Sequence, residues 1–228
     1  MSPGPFTPDP LGSTWPAPFP WMSFGFTGPV PGYSLDLVAA PEFEPLDLND
    51  TRAKLNARID HTDEDVLFRG WIIAARQLVE TEAGCALVAR TLKLSLPCWP
   101  TDGQVRLPIG PVSSVSSVKY YASDGTLTTL AVDTDYQVWL GYRPPTIFPA
   151  PSKFWPVVQF GRVPTIEITF VAGYGPTAAA VPELAKQAML LLIGYWCENR
   201  GDEEAPEKLG IPPGAVRLIR MLDAQGYR

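Results

Sequence analysis

Between Leu46 and Gly84 the apolar residues recur at steps of three and four. The run LDLNDTRAKLNARIDHTDEDVLFRGWIIAARQLVETEAG therefore predicts two consecutive helices with a sharp joint between them. The second is the better marked. Leu67, Trp71, Ala74, Ala75 and Leu78 make one apolar stripe, and Arg69, Arg76, Gln77 and Glu80 lie mostly off it. Thr62 is placed to cap this helix, with Asp65 three residues on, and Asp63, Glu64 and Asp65 stand at the positive end of its dipole. Gly84 supplies the left-handed residue that ends it. A one-sided helix of this kind needs a packing partner elsewhere in the chain.

After Gly84 the period drops from 3.6 to 2. Leu92, Leu94 and Leu96 alternate with Lys93 and Ser95, and Val105, Leu107 and Ile109 alternate with Arg106 and Pro108. Val115 to Tyr121 reads as a further strand, with Ser123-Asp124-Gly125 as the turn into Thr126–Leu130. Tyr136, Val138 and Leu140 alternate next. Residues 141–164 are rich in proline and aromatic residues and read as a long ordered loop with a short strand near Ile147. Ile166, Ile168 and Phe170 form the last strand, with Glu167 and Thr169 facing outward. Short strands separated by turns predict an antiparallel module over residues 91–175.

Gly173 and Gly175 end the sheet, and Pro182 and Glu183 suit the first turn of a new helix. Leu184, Ala188, Leu191, Leu192 and Tyr195 share one face of it, while Met189, Leu190, Ile193 and Trp196 cover much of the rest. A helix apolar nearly all round is buried on more than one side, so this is the expected partner of the 63–83 helix. An acidic loop follows from Asn199 to Lys208. Pro212 and Pro213 then open a short helix with Val216, Leu218, Ile219, Leu222, Arg217 and Arg220. The expected class is α+β: a discontinuous helical bundle (residues 46–90 and 176–228) with an inserted antiparallel β module.

Residues 1–45 differ in kind. Eleven prolines, from Pro3 to Pro45, forbid a long helix or a central strand. Phe6, Trp15, Phe19, Trp21, Phe24, Phe26 and Tyr33 are interleaved with them, a composition unlike that of an entropic linker. The segment reads as an extended arm whose aromatic residues anchor it on a neighbouring subunit or partner, the alternative being a disordered tail. Trp15, Phe19, Trp21 and Phe24, with Trp196 from the apolar helix, are the candidate anchors.

Composition narrows the function by exclusion. The chain has 228 residues, 46% hydrophobic and only 18% charged, with seven Trp, eight Tyr and ten Phe. Few charges and many aromatics suggest surface covered by other chains. A net charge of −6 and the lack of a basic stripe argue against gripping nucleic-acid phosphates. Cys85, Cys98 and Cys197 are widely spaced and odd in number, so no disulfide framework or zinc pattern follows. No signal peptide is recognisable, and the longest apolar run is about half the ~20 residues that span a bilayer. The expectation is a soluble cytoplasmic product with no cofactor or metal.

Catalytic motifs are equally sparse. His61 is the only histidine, and the carboxylates beside it in RIDHTD leave a small hydrolase as one alternative. Its plainer role is to bond a neighbour at the helix joint. Gly173-Tyr174-Gly175 lacks the further glycine, lysine and hydroxyl residue of a phosphate loop and reads as a strand-ending turn. Asp202, Glu203 and Glu204 lack the alternation of a calcium loop. A second alternative is a sheet-based binding module with a ligand groove near Pro144 and Trp155.

Several segments, in order, resemble one family. RIDHTDED, IIAARQLVETEAG, TLKLSLPCWP, LPIGPVSSVSSVKYYASDGT, ITFVAGYG, VPELAKQAMLLLIGYWCENR and PPGAVRLIRML are together similar to the head–tail connector (adaptor) proteins of tailed bacteriophages, over about residues 46–222. The resemblance implies a structural virion protein without catalysis. Such proteins form a ring, usually twelvefold, beneath the portal, extend the DNA channel and offer a platform to the next neck, stopper or tail protein. It further implies assembly in the host cytoplasm, no membrane, and DNA passing through the lumen without sequence-specific binding. By the same resemblance the portal is met by the C-terminal segment, here Pro212 and Pro213 through Arg217, Arg220, Tyr227 and Arg228. The net negative charge agrees with a neutral or acidic lumen in which DNA can slide. Where relatives often carry a basic residue after the helix-ending glycine this chain has Cys85, so no charge role passes to that position. The aromatic arm lies outside the family's common core.

Overall fold

The computed structural model describes residues 32–55, 64–199 and 210–223. Over these there are two hydrophobic cores, one among helices and one among strands.

The first helix, α1 (Leu48–Lys54), starts after Asp47, whose carboxylate accepts the amides of Asn49 (2.8 Å) and Asp50 (3.3 Å). α2 (Asp65–Ala83) ends as expected at Gly84, with φ of 62° and an amide donated to the Glu80 carbonyl. Glu64 holds the N-cap position; Thr62, Asp63 and the joint around His61 lie outside the described residues. The expected stripe needs correction. The buried residues are Phe68, Ile72, Ala75, Arg76, Val79, Glu80 and Ala83, whereas Leu67 and Ala74 are exposed and Trp71 and Leu78 half-buried. The buried face is rotated by one position, roughly 100°. Arg76 and Glu80 neutralise each other, which lets a charged pair occupy the inner face.

α3 (Glu183–Glu198) packs on α2 and on α4 (Pro213–Asp223), as the all-round apolar pattern requires. Its inner face is Ala185, Ala188, Met189, Leu190, Leu192 and Ile193. Leu184 and Leu191, expected on that face, are exposed. Ala215, Ile219 and Leu222 of α4 close the helical core, with Phe68, Val79 and Leu46 opposite.

The strands form two antiparallel sheets. The larger has the order β1 (Ser34–Ala39), β2 (Arg90–Leu96), β8 (Ile166–Ala172), β4 (Val112–Tyr121), β5 (Leu127–Leu130). The smaller runs β3 (Val105–Arg106), β7 (Thr146–Pro149), β6 (Tyr136–Trp139). β8 keeps strict alternation, with Ile166, Ile168, Phe170 and Ala172 buried. β1 lies within the segment expected to be an extended arm. It is an edge strand between Pro31 and Pro41, pairing Leu35 with Leu94 and Leu37 with Leu92, a position that tolerates flanking prolines. β3 is shorter than its alternation suggested: Pro108 has no amide to donate, and the Leu107 amide turns to the Pro145 carbonyl instead (2.9 Å). β6 stops at Trp139, leaving Leu140 exposed in the turn. The strand expected near Ile147 is β7.

Candidate assembly surfaces

The two cores meet at residues 85–89. Cys85, Leu87 and Val88 belong to the helical core and Ala86 to the sheet core, so four buried residues in a row serve both. The Ala86 amide bonds the Gly110 carbonyl (2.8 Å), and the Gly173 amide bonds that of Pro111 (2.8 Å). Gly173, at φ 134°, lies against this strip: a Cβ there would stand 2.5 Å from the Val88 carbonyl carbon and 2.6 Å from the Ala89 Cα. The Gly-Tyr-Gly run is thus a close backbone crossing at the end of β8.

A buried ionic cluster fastens the same joint. Glu80 accepts Arg76 Nη1 (3.0 Å) and the Leu87 amide (2.9 Å) and also pairs with Arg90 of β2. Arg76 in turn donates from Nε and Nη2 to the two oxygens of Glu44 (2.7 and 3.2 Å), a bidentate geometry. Burial lowers the pKa of Arg76, but bonding to Glu44 and the charge of Glu80 outweigh it and hold the guanidinium above its ordinary value. The cluster ties α2, β2 and the segment before α1 in one place. Charge alone did not reveal it, because both residues look like solvated helix positions; the four-residue spacing of Arg76 and Glu80 was the available signal. At the N-terminal end of α2, buried Arg52 of α1 pairs with Asp65 (2.5 Å) and lies over the Phe68 ring (5.3 Å).

The segment from Lys153 to Pro164 is pinned from within yet apolar outside. Trp155 stacks on Trp99 (centroids 4.2 Å, planes 7° apart); its indole donates to the Gly103 carbonyl (2.9 Å), and that of Trp99 to Pro156 (2.9 Å). The Gln159 amide bonds Tyr121 (2.9 Å), and the guanidinium of Arg162 sits 3.5 Å from the centre of the Tyr121 ring. Beside these ties Phe154 (94% exposed), Val157, Phe160 (103%) and Val163 (78%) face water. Trp155 is a packed strut, with one ring face covered and its N–H satisfied, and Pro144 sits apart at the loop before β7.

Arg217 and Arg220 are exposed on α4, lining a shallow groove with Ile211, Pro213, Val216 and Met221. Pro212 is half-buried and Pro213 exposed; Tyr227 and Arg228 lie outside the described residues. Trp196 is half-buried against the helical core, while Trp15, Phe19, Trp21 and Phe24 lie outside the described residues, as does His61. The structure brings Pro213, Arg217 and Arg220 together in that groove. Cys98 is an exposed free thiol, Cys197 half-buried and Cys85 buried. Among the described residues there is no group of three His, Cys, Asp or Glu placed to hold a metal, and no helix long and apolar enough to cross a membrane.

No family model matches the sequence, and no curated protein does. Solved structures do. A chain from the neck of an empty GTA particle with C6 symmetry aligns with a TM-score of 0.69 and 27% identity, over 83% of this chain and 94% of that one. A chain from the virion of the native gene transfer agent (GTA) particle gives 0.65 and 26%, over 82% and 94%. One from the neck of the native GTA particle with C12 symmetry gives 0.62 and 28%, over 83% and 94%. The fold described above, from α1 to α4, is therefore similar to that of chains in the neck of a gene transfer agent, as a resemblance to head–tail connectors would have it.

Proposed function

We propose that this protein is a structural neck protein of a phage-like particle, and within the neck the adaptor: a ring beneath the portal that extends the DNA channel and carries the next neck or tail protein. The observation that carries the reading is the match over 94% of the length of chains from GTA neck structures at 27% and 28% identity. C6 and C12 symmetry in those necks supports a ring. The chain's own physics agrees. It has few charges, large apolar side chains exposed at several separate places, and a joint fastened by a buried ionic cluster that suits a rigid subunit.

The portal-facing surface is assigned to α4. Arg217 and Arg220 stand exposed beside apolar Val216 and Met221, a combination suited to a partner segment bearing carboxylates. The lumen is neutral or acidic, in keeping with the net charge of −6. The test is a double reversal, Arg217→Glu with Arg220→Glu, in cells producing particles. Normal melting of the purified variant with loss from the particle neck is the expected result. Normal incorporation would remove α4 from the portal contact.

A further inference from the structure

We propose that the outward face of α2, centred on Gly70, is the socket through which one copy of this chain receives the next in the ring. The segment that fills it is the Phe154–Val163 segment of the adjacent copy. This rests on the ring reading above and adds to it the contact that closes the ring.

Gly70 sits in the interior of a 19-residue helix, where only proline is less favourable. Nothing in the fold around it requires a glycine: a Cβ at this position meets nothing within 4 Å. The residues at −4, −3, +3 and +4 are Val66, Leu67, Ile73 and Ala74, all apolar and all exposed, Val66 at 82%. Those four positions surround a residue on a helix surface, so the face is an apolar hole with a glycine floor, the shape that takes a knob from outside. Leu67 and Ala74, two members of the stripe that periodicity marked as apolar, lie on this face and point away from the core, whereas Ala75 of that stripe is buried.

A rotational ring has head-to-tail contacts, so one chain must carry both unlike halves of the interface. The convex half is present. Phe154 and Phe160 project from a segment whose ends and middle are held by the Trp99–Trp155 stack, the Gln159–Tyr121 bond and Arg162 on Tyr121. A segment fixed before contact loses little conformational freedom on binding. Large apolar side chains held rigidly in water mark an interaction site. Trp139 and Tyr142, also exposed, already pack on each other (5.3 Å) and are less suited to serve as knobs.

The test uses two full-length chains, one Gly70→Cys and one Phe160→Cys, both with Cys98→Ser to remove the exposed thiol, co-produced with particles. A short bis-maleimide should give a cross-linked dimer in particles carrying both chains and none in particles carrying either alone. Particles holding both chains at normal occupancy without that dimer would overturn the socket, as would cross-linking of Gly70→Cys to a different neck protein. A second measurement is subunit count: Gly70→Trp loses full rings yet melts as a monomer like the wild type. Full rings with Gly70→Trp overturn the proposal. Absence of the wild-type chain from particles would instead sink the ring reading, and the socket with it.

Discussion

Glu80 is the residue on which the joint between helices and sheets depends most. Its carboxylate is 7% exposed and serves Arg76, Arg90 and the Leu87 amide at once. Replacing it with leucine keeps the volume but strands two guanidinium groups and one amide. Removing one partner of a buried ion pair costs about 3–5 kcal/mol. Here Arg76 keeps Glu44, and Arg90, at 17% exposure, has a route to water, so the lower end applies, about 3 kcal/mol. For a chain of this size that lowers Tm by roughly 6–12 °C. Thermal melting followed by circular dichroism reads the change. The companion variant is Arg76→Met: if the cluster acts as a unit, the double variant costs less than the two singles summed, by at least ~1 kcal/mol. Asp36→Asn breaks only a long, exposed pair with Lys93 (3.8 Å) and should leave Tm unchanged. A Glu80→Leu protein melting within 2 °C of the wild type, where about 6 °C or more is expected, would show that the joint does not depend on this carboxylate.

Other outcomes follow from the same geometry. Gly173→Ala drives a Cβ into the Val88–Ala89 backbone at a positive φ and should cost about 3 kcal/mol or more, seen as poor yield or a lower urea midpoint. Gly70→Ala, where a Cβ meets open space, should gain about 0.5–1 kcal/mol in the isolated chain. Trp99→Ala and Trp155→Ala should each destabilise, and the double variant should fall short of their sum by about 0.5–1.5 kcal/mol, the worth of the stacked pair. The Asp135 carboxyl is held below its ordinary range by the Lys153 ammonium and then by the Ala131 amide. Its contribution is therefore present above the ordinary carboxylate pKa of about 4 and is lost as acid protonates it in the folded state. Amide exchange at Ala131 should quicken only in that acid range, and in Lys153→Met the protection should be weaker at neutral pH.

Much of the fold was legible because period and punctuation agreed. Gly84, the alternation of β2 and β8, the Asp124-Gly125 turn and the all-round apolar α3 each followed from local rules. The phase of α2 did not, because a reading that keeps charges outside cannot anticipate Arg76 and Glu80 satisfying each other in the interior. Leu67 and Ala74 were thus assigned to the core when they line the outer face. β1 was hidden among prolines because pairing at a sheet edge depends on a partner 59 residues away, Leu94 opposite Leu35. The exposed Phe154 and Phe160 were visible as composition, but their outward direction depends on the Trp99–Trp155 stack, a long-range contact. Arg217 and Arg220 came from the resemblance alone, and the structure places them together on one exposed surface of α4.

If this chain forms a neck ring, electron microscopy of the purified protein mixed with its cognate portal, with subunits counted by mass, will show a closed ring stacked coaxially on the portal. A monomer that ignores the portal, under conditions where neighbouring neck proteins bind it, would rule the neck ring out.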